Sequence, residues 1–254
     1  METYIYIMIF IFGSVMGSFL NVLAVRLSNN ESILWPSSHC HNCNHRLRWY
    51  ELIPIVSYLI QKGRSRCCHT IIPISYLIIE IVTGVLYMVS YHSFGFSYDF
   101  VISLIFISSL IVIIVSDIEY MIILDEIIAI SSILIILLEL VFYGLDYTVY
   151  KILAGIFAFI TMYVIKLIGD RLFKRESMGG GDIKLMFLFG IVLGYPLAIC
   201  DIFLATFIAF PVAIFILFSR RDNLIPFGPF LAMGAILIHI SKVNIDGIIN
   251  FLIK

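Results

Sequence analysis

Apolar residues fill this chain in long blocks that are separated by short polar turns. A run of about 18 or more apolar residues is long enough to cross the hydrocarbon core of a bilayer as one helix. We therefore predict an all-α fold, a polytopic membrane helix bundle of about eight transmembrane helices, of which the sixth is the shortest. The predicted spans are residues 4–25, 71–91, 98–116, 122–143, 150–168, 184–196, 198–219 and 224–241.

Composition and charge agree with a multi-pass membrane protein. The 254 residues are 61% hydrophobic and 13% charged, with a mean hydropathy of +1.07, which is too apolar for a soluble domain. The net charge of -1 gives no reason to expect a nucleic-acid partner. If the first helix runs inward, all Lys and Arg residues except Lys151, Lys242 and Lys254 fall on one side. This asymmetry predicts that these loops are cytoplasmic and that both termini lie outside.

One sizeable polar segment interrupts the apolar pattern and divides the chain into three parts. These are a first transmembrane helix of residues 1–26, a small cytoplasmic cysteine-containing loop domain of residues 27–70 and a helical core of residues 71–254. The loop domain holds Cys40-x-x-Cys43 and, about two dozen residues later, a second thiol pair, a separation that is typical of a tetrahedral structural zinc site. A compact loop with free thiols is the competing interpretation, and stable disulfides are not expected in the cytoplasm.

The second thiol pair departs from the regular spacing. Cys67 and Cys68 are adjacent, and Ser65 stands where a Cys-x-x-Cys motif would have its first thiol. Since adjacent ligands need a strained turn, we expect Cys68, with Cys40 and Cys43, to be a stronger candidate ligand than Cys67. The alternative ligands are His41, His45 and His69.

Two aspartates lie where predicted spans meet the cytoplasmic loops. Asp117 follows the third span, and Asp182 precedes the sixth. An ionisable group at membrane depth is costly and marks function by default. Three glycines, Gly179-Gly180-Gly181, come directly before Asp182, and we expect them to let the backbone approach closely and to adopt conformations closed to other residues. The pattern indicates that the three glycines position the carboxylate of Asp182.

If these two aspartates meet, their chemistry is that of an aspartic protease. Like-charge repulsion leaves one carboxyl protonated and the other ionised. The ionised group would activate water and the neutral one would polarise the scissile carbonyl, so proteolysis requires no cofactor. The rival hypothesis is an ion- or proton-coupled transporter, in which intramembrane carboxylates form a path for cations.

Other polar positions in the spans carry weaker signals. Glu80 is expected to be either a hydrogen-bonded interior glutamate or a ligand-binding group. Asp125 is expected to cap the fourth helix rather than to act in catalysis. Asn21 belongs to a face of small residues, which suits helix packing or, for Asn21 itself, binding. The segment 225–232, with two prolines and a glycine, is expected to shape a groove.

Taken together, these segments resemble the type IV prepilin peptidase family, the membrane aspartic proteases of the GxGD kind. The resemblance covers nearly the whole chain, and several ordered matches are more specific than any single one. The matching segments are Gly17-Ser18-Phe19-Leu20-Asn21, Leu52-Ile53-Pro54-Ile55, Asp117 with Asp125, Gly179-Gly180-Gly181-Asp182-Ile183-Lys184-Leu185 and Ile225-Pro226-Phe227-Gly228-Pro229-Phe230.

The resemblance implies a peptidase of the bacterial cytoplasmic membrane whose catalytic side faces the cytoplasm. Asp117 and Asp182 would be its catalytic pair, supported by the three glycines, Lys184 and Asp125. It would cleave basic leader peptides from prepilins or pseudopilins and then methylate the new N-terminus with S-adenosylmethionine, for which Glu80 is a candidate ligand. The departures from the family pattern are Ser65 for a cysteine and Leu77 and Leu124 for prolines.

Overall fold

The computed structural model describes residues 2–33, 35–40, 42–174, 176–218 and 226–242. Within these ranges the chain forms α-helices, one 3-10 turn at Trp49–Glu51 and two isolated β-bridges, with no β-strand. The predicted all-α fold is confirmed. The helices are α1 (Glu2–Ser28), α2 (Val56–Ile60), α3 (Ile74–Phe94), α4 (Tyr98–Tyr120), α5 (Asp125–Tyr143), α6 (Leu145–Phe173), α7 (Gly180–Leu193), α8 (Tyr195–Phe218) and α9 (Gly228–Ser241).

Six of these helices are long and apolar enough to cross a membrane: α1, α3, α4, α5, α6 and α8. The sixth and eighth predicted spans correspond to α7 and α9, which have 14 residues each. At 1.5 Å per residue such a helix is about 21 Å long, shorter than a hydrocarbon core of about 30 Å. The chain is therefore a polytopic helical membrane protein, and the count of eight spans stays a prediction.

The chain divides into two compact units, Met1–Phe96 and Ser97–Lys254. In the first unit α1 packs along α3 through small residues. A Cβ atom on Gly13 would lie 2.8 Å from Cα of Gly84, and one on Gly17 would lie 2.9 Å from Oγ1 of Thr83. Only glycine permits so close an approach, so the small-residue face predicted in the first span is confirmed as a helix interface. The functional division at residues 26 and 70 stays a prediction.

In the second unit α4 is the most enclosed membrane-spanning helix, with Phe106 among its fully buried side chains. The short helix α7 packs against α5, α6, α8 and α9. A Cβ atom on Gly190 of α7 would lie 2.5 Å from Cα of Gly155 in α6, so the two backbones touch. Lys151 Nζ donates a hydrogen bond of 2.9 Å to the carbonyl of Val192, near the end of α7. These contacts fix the helix that carries Asp182.

Candidate active site

Asp117 lies in the last turn of α4, where the chain is about to reverse. Met121 follows the helix in the left-handed conformation and donates its N–H to the Asp117 carbonyl, which ends α4. The Asp117 side chain is only 6% exposed, and its carboxylate accepts the backbone N–H of Gly228, the first residue of α9. The end of α4 is thereby joined to the start of α9.

Asp182 is the third residue of α7 and is also only 6% exposed. Its carboxylate turns back and accepts the backbone N–H of Gly179, the residue that precedes the helix. This is the contact that an acidic side chain makes at the third helical position, where the helix dipole also favours negative charge. Among the described residues, its Oδ1 atom has no hydrogen-bond partner. The Oδ1 side of this carboxylate therefore receives no hydrogen bond from the described part of the chain.

The two aspartates, distant in sequence, come together in the second unit. The side chain of Ile123, in the turn after α4, touches both helix starts: it faces Gly181 of α7 and Gly228 of α9. Three chain segments thus converge on one site that holds two enclosed acids.

The glycines at this site are explained by close contact with a neighbouring segment and not by an unusual backbone conformation. Gly179 has φ -65° and ψ 147°, while Gly180 and Gly181 belong to α7, so the expectation of conformations closed to other residues is wrong. A Cβ atom on Gly181 would lie 2.5 Å from Cβ of Ile123, whereas one on Gly180 would have nothing within 4 Å. The expectation of close approach is therefore confirmed for Gly181 alone among the three.

Sequence reasoning missed Gly228 as a member of this site. A Cβ atom there would lie 2.6 Å from Oδ2 of Asp117 and 3.1 Å from Cδ1 of Ile123. Pro226 and Pro229 flank it, and a lone glycine between two prolines was the available signal. Of the segment 225–232, residue 225 lies outside the described residues.

Asp125 and Lys184 form an ion pair beside the site. Their side chains are separated by 2.5 Å and are 57% and 49% exposed. Asp125 is the first residue of α5, and Leu124 precedes the helix without any side-chain cap, so the predicted capping role of Asp125 is wrong. Its carboxylate binds Lys184 of α7 instead. An exposed pair of this kind contributes at most about 1 kcal/mol.

Glu80 lies in the first unit, where it is buried and hydrogen bonded. Its Oε2 atom accepts the backbone N–H of Ile55 at 2.7 Å, and the Ser18 hydroxyl donates to the same carboxylate. The hydrogen-bonded alternative is confirmed, and a ligand-binding role stays a prediction. Asn21, one turn from Ser18 on α1, is 1% exposed, and neither polar atom of its amide has a partner among the described residues.

The four loop cysteines form one cluster. The sulfur atoms of Cys40, Cys43, Cys67 and Cys68 all lie within 4.8 Å of one another, and all are free thiols. Cys67 Sγ is 2.9 Å from Cys43 Sγ, so Cys67 belongs to the cluster, and its lower rank as a ligand stays a prediction. His45 and His69 are outside the cluster, and His41 lies outside the described residues.

Two matching turns build this cluster. In the first, Cys40 N–H bonds to His45 O and Asn44 has a positive φ of 54°. In the second, Ser65 N–H bonds to Thr70 O and His69 has a positive φ of 56°. Ser65 therefore occupies the place of Cys40. The positive φ of His69 matches that of Asn44, so it belongs to the turn and not to the adjacent cysteines.

Hydrogen bonds also adjust the acidity of these thiols. A bond from the Ser65 hydroxyl is the main cause that lowers the pKa of Cys40 to about 5, and bonds from Thr70 lower the pKa of Cys68 to about 7. A hydrogen bond with Cys67 raises the pKa of Cys43 to about 12. These hydrogen bonds therefore favour the thiolate, the form that binds metals, at Cys40 and Cys68 and disfavour it at Cys43.

A polytopic helical membrane protein with a pair of enclosed aspartates is, as a class, a candidate intramembrane aspartic peptidase, and the comparisons with known proteins agree. The family model described as Bacterial Peptidase A24 N-terminal domain matches residues 11–94. The model described as Type IV leader peptidase family matches residues 104–216, which include both Asp117 and Asp182. No solved structure matches this chain significantly.

Several curated relatives named prepilin leader peptidase/N-methyltransferase are similar to most of the chain. The one from Bacillus subtilis (strain 168) is 34% identical over 97% of this chain and 97% of the relative. The relative from Vibrio cholerae is 30% identical over 94% of this chain and 98% of the relative. The relative from Myxococcus xanthus is 30% identical over 74% of this chain and 56% of the relative. This chain belongs to the type IV leader peptidase family.

Proposed function

We propose that this protein is a membrane aspartic endopeptidase that removes the leader peptide from prepilin or pseudopilin precursors. The single observation that carries the proposal is the convergence of Asp117 and Asp182, two enclosed acids whose neighbours Gly228 and Gly181 both pack against Ile123. The names of the curated relatives supply the substrate class. The excess of basic residues in one set of loops supports a catalytic side that faces the cytoplasm.

In the proposed reaction the two carboxyls share one proton. The ionised carboxylate takes a proton from water as the oxygen attacks the scissile carbonyl carbon, while the neutral carboxyl donates a hydrogen bond to the carbonyl oxygen. Collapse of the tetrahedral intermediate breaks the C–N bond, and the carboxyl pair delivers a proton to the leaving nitrogen. No covalent bond forms between the enzyme and the substrate at any step.

Backbone groups hold the two acids in this arrangement. The N–H groups of Gly228 and Gly179 bind the carboxylates of Asp117 and Asp182, and both donors are fixed at helix starts. Gly181 and Gly228 allow Ile123 to pack between the two helices. The ion pair between Asp125 and Lys184 ties α5 to α7 beside the site. We assign these groups to positioning, with Gly180 contributing least because open space surrounds it.

We also propose that the protein methylates the new N-terminus with S-adenosylmethionine, which supplies an electrophilic methyl group when bound. Glu80 and Asn21 of the first unit fit such a ligand. A carboxylate accepts hydrogen bonds from hydroxyl or ammonium groups, and the buried Asn21 amide lacks any protein partner among the described residues. Equilibrium binding of S-adenosylmethionine to the full chain and to Glu80→Gln tests this assignment: equal affinities would refute it.

The cysteine cluster is proposed to hold a structural zinc ion. Zinc–sulfur bonds of about 2.3 Å in a tetrahedron place the sulfur atoms about 3.8 Å apart. The thiols of Cys40 and Cys68 are 3.5 Å apart and those of Cys67 and Cys68 are 3.8 Å apart, while those of Cys43 and Cys67, at 2.9 Å, would have to separate by about 0.9 Å to bind the ion. Zinc content of the purified chain tests the site, and less than one equivalent would refute it.

Mass spectrometry of a coexpressed prepilin tests both activities together. Cells that produce this chain should release a pilin that lacks its leader and carries one added methyl group. Cells without it should retain the intact precursor. A cleaved product without the methyl group would refute the second activity and leave the first standing, and an intact precursor would refute the proposal.

A further inference from the structure

Residues 46–66, here named the basic segment, are the most strongly charged part of the first unit. The segment lies within the connection between α1 and α3, two helices that are long and apolar enough to cross a membrane. Both ends of that connection are therefore tethered at the same membrane face. Against the single acid Glu51, it carries five basic side chains, all exposed: Arg46, Arg48, Lys62, Arg64 and Arg66.

Within the basic segment, helix α2 turns apolar side chains outward. Val56, Leu59 and Ile60 follow the i, i+3, i+4 spacing that places residues on one helical face. They are 49%, 62% and 64% exposed. An apolar helical face beside basic side chains is typical of a segment that lies in the plane of a membrane interface. In water, the same face would be an unfavourable surface.

A hydrogen bond fixes the depth of this face. Ile55, the residue before α2, donates its N–H to Glu80 at 2.7 Å. Glu80 lies six residues after Ile74, the first residue of α3, which is about 9 Å along the helix axis. The start of α2 is therefore level with a position inside a membrane-spanning helix.

Aromatic and cationic groups of the segment lie together. Trp49 is 77% exposed and packs edge-on against Tyr50, with ring centres 5.8 Å apart. Arg48 donates a hydrogen bond to the Tyr50 hydroxyl, and the Arg66 guanidinium lies 5.3 Å from the centre of the same ring. Trp and Tyr concentrate at membrane–water interfaces, and guanidinium groups match phosphate geometry. The four side chains combine the chemistry that recognises an anionic lipid headgroup.

We propose that the basic segment is a membrane-surface docking site for anionic phospholipid. The apolar face of α2 inserts at the boundary between headgroups and acyl chains, and Arg48 and Arg66 bind lipid phosphates beside Trp49. The five-to-one excess of basic over acidic residues selects an anionic leaflet over a zwitterionic one. Cys43 and Cys67 flank the segment, so docking holds the cysteine cluster close to the membrane.

Tryptophan fluorescence tests the proposal without any enzyme assay, so its outcome is separate from that of the proposed function. The chain has two tryptophans, and the Trp35→Phe variant leaves Trp49 as the reporter. The full chain is placed in nanodiscs of phosphatidylglycerol and phosphatidylcholine with bromine on the upper acyl chain. Emission should fall roughly twofold or more, because Trp49 lies at the interface. Unchanged emission together with full quenching by iodide in water would overturn the proposal.

Two further variants keep the test decisive. Leu59→Trp, in a chain whose two tryptophans are replaced by Phe, should show the same bromine quenching from α2 itself. Arg48→Gln with Arg66→Gln, in the Trp35→Phe background, should abolish the increase in quenching that phosphatidylglycerol produces. The control Lys174→Gln removes one exposed charge outside the segment and should preserve that increase. Quenching of Trp49 that does not depend on phosphatidylglycerol would also overturn the proposal.

Discussion

Replacing Gly181 by alanine should reduce peptide cleavage far more than the same replacement at Gly180, its neighbour in α7. Both glycines have helical backbone conformations, so alanine is allowed at each position. The difference lies in the surroundings. A Cβ atom on Gly181 would lie 2.5 Å from Cβ of Ile123, whereas one on Gly180 would meet nothing within 4 Å.

The size of the effect follows from these distances. Carbon atoms prefer separations of about 3.5–4.0 Å, so alanine at Gly181 forces a shift of about 1 Å between Ile123 and α7. A displacement of this size near reacting groups costs about 100-fold in rate. Asp182 is the next residue, so the shift acts directly on a proposed catalytic carboxylate. Alanine at Gly180 should leave the rate within about threefold of the parent, with a slight gain in helix stability.

The assay measures kcat/KM for leader-peptide cleavage by purified Gly180→Ala and Gly181→Ala in one detergent, with Tm recorded for each. Adding Ile123→Gly to Gly181→Ala removes the atom that clashes and should restore part of the lost activity. Equal losses at the two glycines would refute this reasoning, because open space and a steric clash cannot have the same effect. A double variant no more active than Gly181→Ala would also refute it.

Three further changes test other contacts. Gly228→Ala should lower kcat at least tenfold, because its Cβ atom would lie 2.6 Å from Oδ2 of Asp117 and would displace that carboxyl, and an unchanged kcat in a folded protein would contradict the site geometry. Asp125→Asn breaks an exposed ion pair and should lower kcat no more than about fivefold, so inactivation would show that the pair acts in chemistry. Cys67→Ser should lose bound zinc by elemental analysis, and Ser65→Cys in that variant should restore it. Retained zinc in Cys67→Ser would exclude Cys67 as a ligand.

The membrane-spanning helices could be predicted from sequence because a helix that crosses a bilayer needs a long run of apolar residues. The small-residue face of α1 could also be predicted, since Gly13 and Gly17 are four residues apart and lie on one side of a helix. The two acids could be found because each carboxylate interrupts an apolar region. Helix starts were harder: α7 begins at Gly180, four residues before the predicted span, because glycines lower a hydropathy average even where they are helical.

The remaining details of the site depend on contacts between distant segments. The bond from Gly228 to Asp117 joins α9 to α4, and no local pattern encodes that pairing. The role of Gly181 depends on Ile123 across the site, so sequence suggested backbone freedom where the fold requires a small side chain. Adjacency to Cys68 made Cys67 the weaker candidate ligand, and its contact with Cys43 across the loop could not be predicted from that spacing. The turn that holds Cys67 and Cys68 has the same conformation as the turn after Cys40, with a positive φ at His69 as at Asn44.

Processing of a coexpressed prepilin by aspartate variants tests the central claim most directly. Asp117→Asn and Asp182→Asn should each leave the full-length precursor in the intact-mass spectrum while the membrane protein accumulates normally. Asp201→Asn is the matched control, because Asp201 of α8 is fully buried and faces Gly234, outside the proposed catalytic pair. This variant should still yield mature pilin. Mature pilin from cells with either of the first two variants would contradict the account.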